Sequence, residues 1–62
     1  MDWTNFKKID PNLLVGLVNT ELRNHAESLN EFCRTHDIDE AQLCARLEIF
    51  NYRYQKEHNQ FR

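Results

Sequence analysis

Four side chains in this 62-residue chain carry donor atoms suited to metal or thiol chemistry: His25, Cys33, His36 and Cys44. Cys33-x-x-His36 places sulfur and imidazole on one face of a helix, and Cys44 could meet them from a neighbouring helix. A structural zinc site, however, closes four ligands, usually from Cys-x-x-Cys knuckles in tight loops. Both cysteines here fall on apolar stripes, where a free thiol behaves as a small hydrophobe. The expectation is therefore two packed thiols, with no metal and no cofactor. A Cys33–Cys44 disulfide shares the same inward geometry, but two cysteines do not make a secreted framework, and a reducing cytoplasm is the expected compartment. Catalysis by Cys33 with His36 as base would also need an orienting third group and an oxyanion site, and the sequence supplies neither. A single core of this size has little volume for a pocket. No enzyme activity and no small-molecule substrate are expected.

The elements that would position these residues are short. At 40% hydrophobic and 29% charged residues, with a net charge of −2, the chain reads as one domain over residues 1–62. The longest apolar run is Leu13–Leu14–Val15, so no membrane span is expected. The opening Met-Asp-Trp-Thr-Asn lacks the basic and apolar zones of a signal peptide. Surface scaling predicts about 4,250 Å² exposed when folded. Burial then contributes roughly 95 kcal/mol, against roughly 93 kcal/mol for ordering the chain. A monomer is marginal on that balance, and association would help it.

Residues 1–9 form an N-terminal arm carrying Trp3, Phe6 and Ile9. Asp10 as N-cap and Pro11 in the first turn open a helix over 10–25. Leu14, Val18 and Leu22, with Leu17, make its inward stripe. Gly16 in mid-helix predicts close approach of another backbone. Ser28-Leu-Asn-Glu31 is a capping box opening a helix over 28–36, with Leu29, Phe32 and Cys33 inward. Asp39-Glu-Ala-Gln42 opens a third over 39–50, with Leu43, Cys44, Leu47 and Phe50 inward and Ile38 stapling its start. After Asn51 the period shortens to two. Tyr52 and Tyr54, then Phe61, mark a C-terminal aromatic segment over 51–62, extended or folded as a small hairpin with Asn59 at positive φ in the turn. The fold class is mainly α: a three-helix, helix-turn-helix-like bundle with that segment attached.

The order of residues resembles a known family of short bacterial proteins, domain of unknown function 4250. The resemblance rests on Asp10-Pro11, Leu13-Leu14, Val18-Asn19, Leu22-Arg23, Ser28-Leu29, Cys33, Asp37-Ile38-Asp39, Leu43, Leu47, Tyr52, Tyr54 and Asn59-Gln60-Phe61. It covers residues 9–62. This sequence departs from it near Asn51, where glycine is expected, and in the Trp3/Phe6 arm. The resemblance implies a stand-alone bacterial cytosolic protein and brings no activity, cofactor, partner or site residue.

Two classes of function remain. Helices 28–36 and 39–50 with their three-residue link read like a helix-turn-helix, with the C-terminal segment as a wing. Phosphate binding needs clustered cations; here eight scattered bases face ten acids, and the recognition position opens with Asp39-Glu40. Nucleic acid is the weaker reading. The stronger is a non-catalytic protein-interaction or self-association module, a homodimer or the partner of another protein, with Trp3, Phe6, Tyr52, Tyr54 and Phe61 as its interaction residues. The alternative for those aromatics is closure of the chain's own core. Asn19 and Arg23, one turn apart, are expected to anchor the C-terminal segment through its backbone.

Overall fold

The computed structural model describes residues 3–62; Met1 and Asp2 of the expected arm lie outside the described residues. A 3-10 turn at Phe6–Lys8 leads into α1 (Pro11–Asn24), α2 (Leu29–His36) and α3 (Glu40–Glu48). A two-stranded hairpin follows, β1 (Tyr54–Gln55) and β2 (Gln60–Phe61). The exposed area is 4360 Å², close to the scaling value.

Each helix starts where a short acceptor side chain satisfies a free N–H. Asp10 accepts from the Asn12 N–H at 2.7 Å, Ser28 from Glu31 at 3.1 Å and Asp39 from Gln42 at 3.2 Å. Neither expected capping box closes reciprocally. The Glu31 carboxylate accepts from the Glu27 N–H, one residue before the position the box requires, and among the described residues Gln42 makes no return bond.

Helices α2 and α3 end alike. Asp37 at φ 56° and Asn51 at φ 65° turn the chain left-handed. Ile38 N–H then donates to Cys33 and Asp37 N–H to Arg34; Tyr52 N–H donates to Leu47 and Asn51 N–H to Glu48. These crossed pairs are Schellman motifs, which usually place glycine at the left-handed residue. That explains the glycine expected near Asn51. It also corrects the third helix, which stops at Glu48 rather than running to residue 50. Phe50 was expected inward, yet it lies in the reversing turn and is 46% exposed.

The hairpin pairs Tyr54 with Phe61 and Gln55 with Gln60, and Arg53 and Arg62 exchange backbone bonds at 3.0 Å beyond them. Asn59 takes φ 50° in its turn, as the sequence suggested. The core is built from Leu14, Val18 and Leu22 of α1, Leu29, Phe32 and Cys33 of α2, and Leu43 and Leu47 of α3. Trp3, Phe6 and Phe61 close it. Gly16 does not fulfil its expectation: among the described residues no other element lies within 4 Å of where its Cβ would stand, so none of their backbones makes the close approach there.

Candidate functional site

The five aromatics proposed from sequence are engaged by the chain itself. Trp3, Phe6 and Phe61 are buried, and Trp3 meets Phe32 edge-on with centroids 5.0 Å apart. Tyr52 and Tyr54 are half-buried, with hydroxyls committed to hydrogen bonds. Tyr52 donates to Asn12 Oδ1 at 2.8 Å, tying the start of α1 to the segment after α3. Tyr54 donates to Asn59 Oδ1 at 2.6 Å and accepts from the Leu29 N–H, one of the free donors at the start of α2, at 3.3 Å.

Both cysteines are free thiols. Burial, then the carboxylate of Glu40, the neighbouring Cys44 and Asp39 push the Cys33 thiol up to about 12. Cys44 is raised by burial, Glu40 and Glu48. Neither is a thiolate near neutral pH, so neither is an activated nucleophile. His36 does not turn to Cys33 as a base would; its ring sits 4.9 Å from that of Phe32 and 5.8 Å from that of Trp3. Its Nε2 lies 4.0 Å from Glu21, whose other oxygen is 3.8 Å from His25. Among the described residues, no three His, Cys, Asp or Glu side chains are arranged to hold a metal ion.

Polar order concentrates where α1 meets the hairpin. Asn19 donates its amide to the Phe61 carbonyl at 3.0 Å and accepts from the Phe61 N–H at 2.7 Å, closing a two-bond clamp on β2. The side chain thus supplies what another strand would have supplied. Asn59 donates its amide to the carbonyls of Leu22, at 3.0 Å, and Ala26, at 3.1 Å, while accepting from Tyr54. One amide therefore joins the end of α1, the link to α2 and the hairpin, and through Tyr54 it reaches the first N–H of α2. Sequence reasoning placed Asn19 correctly and assigned Asn59 only a backbone role. Arg23 makes none of the backbone bonds expected of it; it is exposed and borders an open cleft of about 490 Å³ between α1 and the hairpin turn. A second missed residue is Arg46 of α3, whose guanidinium donates to the Ile9 carbonyl at 3.0 Å and fastens the N-terminal segment.

The sequence model of the family described as Domain of unknown function (DUF4250) matches residues 8–61. The chain belongs to that family. No curated protein and no solved structure matches it. The geometry of this DUF4250 chain accounts for several residues that carry the resemblance: Asp10 and Ser28 cap, Asp37 reverses the chain, and Asn19, Tyr54 and Asn59 bind the hairpin to the helices. What its fold leaves outside is a small apolar set. Leu13 is 59% exposed and Ile49 63%, joining Phe50 as the large hydrophobic side chains in water. The Tyr52–Asn12 bond brings their backbones to the same end of the molecule. On α3 the exposed positions include Glu40, Gln42, Ala45 and Glu48, and its sole arginine is the one held by Ile9. No described helix is long and apolar enough to cross a membrane.

Proposed function

We propose that this DUF4250 domain is a non-catalytic protein-interaction module of the bacterial cytoplasm, working through an apolar end rather than through Trp3, Phe6, Tyr52, Tyr54 and Phe61. One observation carries the reading: Leu13, Ile49 and Phe50 stand in water at the end where α1 begins and α3 finishes, while every other large hydrophobic side chain described is at least partly buried. A monomer gains nothing from exposing them, whereas a partner that covered them would gain about 25 cal/mol for each Å² removed from water. The reduced, core-facing thiols fit a cytoplasmic setting. A duplex-binding helix-turn-helix has weaker support. Its recognition helix would be α3, which presents Glu40 and Glu48 to the phosphates.

The test is site-specific photocrosslinking in the native cell. A benzophenone residue at Phe50 or Leu13 should capture a discrete protein adduct, a second copy or another chain, and one at Arg34 on the exposed side of α2 should not. Equal, diffuse labelling at all three positions would remove the proposal, as would an adduct with nucleic acid alone.

A further inference from the structure

The fold finds work for Asn19 and Asn59 and none for Arg23. Among the described residues its guanidinium has neither an ion pair nor a hydrogen bond, although the chain holds ten carboxylate side chains. Two other side chains on the same cleft are equally uncommitted: the His58 ring and the Gln60 amide. No carboxylate lines the cleft. The end of a helix ordinarily repels anions through its free carbonyls. Here the Leu22 carbonyl of that helix end, and the Ala26 carbonyl in the link that follows it, each accept from the Asn59 amide. The same bonds, with the Asn19 clamp on Phe61, fix the wall that carries His58 and Gln60 against the helix that carries Arg23.

From this geometry we propose that the α1–hairpin cleft binds the phosphate group of a small molecule. Arg23 offers a planar fork of N–H donors, the group best matched to oxyanions. Gln60 adds an amide, and His58 has a ring N–H in either protonation state. Three separate donor side chains suit the three terminal oxygens of a phosphate better than the two of a carboxylate. A cleft of about 490 Å³ lies within the range of small-molecule sites and has room beyond the phosphate itself. The site is open to water, so charge attraction is screened and recognition rests on the arrangement of donors.

The experiment is a two-dimensional amide NMR titration of the full chain at fixed ionic strength, in a buffer free of other oxyanions. Inorganic phosphate, ribose 5-phosphate and acetate are added in separate arms. We expect saturable shifts confined to the Arg23 Nε–H, the Gln60 side-chain amide and the Asn59–Gln60 backbone. Tighter binding of ribose 5-phosphate would identify a phosphomonoester as the ligand, and equal binding would identify free phosphate. Arg23→Gln should weaken the affinity roughly tenfold, the loss of one charge-assisted fork, while Arg34→Gln leaves it within about twofold. Because Arg23 makes no bond in the fold, its variant should melt like the parent; should it not fold, the wild-type shift map alone decides. Shifts that do not saturate, that spread equally to Lys7, Lys8 and Arg34, or that acetate reproduces at the same concentrations would overturn the assignment.

Discussion

Replacing Asn59 by alanine tests the joint on which the architecture depends. The side chain makes three hydrogen bonds, to the Leu22 and Ala26 carbonyls and from the Tyr54 hydroxyl, all partly buried. At about 1 kcal/mol net for each bond, their loss costs about 3 kcal/mol. Alanine must also adopt φ 50°, which asparagine tolerates and which adds about 1 kcal/mol. A chain of this length has a total stability of roughly 3–9 kcal/mol, so the variant should lose about half of it or more. The assay is urea unfolding followed by the fluorescence of Trp3, the single tryptophan, buried edge-on against Phe32. The thermal midpoint should fall by more than about 15 °C. Tyr54→Phe removes the shared bond from the other side and should cost about 1–2 kcal/mol, since the Leu29 N–H also loses its acceptor. The double variant should then be less damaged than the sum, by about 1 kcal/mol. A loss under about 1 kcal/mol for Asn59→Ala, or strict additivity of the pair, would refute the idea that one amide ties the three elements together.

Two further outcomes follow from single residues. Gly16→Ala should raise stability by about 1 kcal/mol, because the added methyl meets nothing within 4 Å and alanine is the better helix former; a measured decrease would show that the site is occupied after all. The raised Cys33 thiol makes stability fall at high pH. It is at its full value below about pH 9 and declines as pH rises toward 12, because the unfolded chain releases a proton that the folded chain keeps. The slope from Cys33 is up to about 1.4 kcal/mol per pH unit, so Cys33→Ala, which keeps the raised Cys44, should show a shallower decline when the two unfolding curves are compared.

The helices and their starts were legible because their signals are local: Asp10-Pro11, Ser28 and Asp39 each act within three residues of themselves. The hairpin turn was legible for the same reason, through Asn59. The third helix was read too long because Phe50 continues the spacing of Leu43 and Leu47, and that periodicity does not record where a chain reverses. Asn51 did, and the departure from glycine there concealed it. The bonds that lock the tertiary structure span far greater distances along the chain, from Asn59 back to Leu22, from Arg46 to Ile9 and from Tyr54 to Leu29. An asparagine or tyrosine bears no local trace of a partner so remote. The burial of Trp3 and Phe6 was hidden similarly, because aromatics near a terminus satisfy a core and an interface equally well in one dimension.

The Asn59 joint also bears on how this molecule is made. Helices of eight to fourteen residues melt when left by themselves, and here the carbonyls closing the first and an N–H opening the second await a turn synthesised more than twenty residues later. While the polypeptide emerges from the ribosome, neither helix end has these partners until the hairpin has been made. Docking of the hairpin therefore completes both helix ends, and a nascent chain that has not yet made it should be the easier target for proteases.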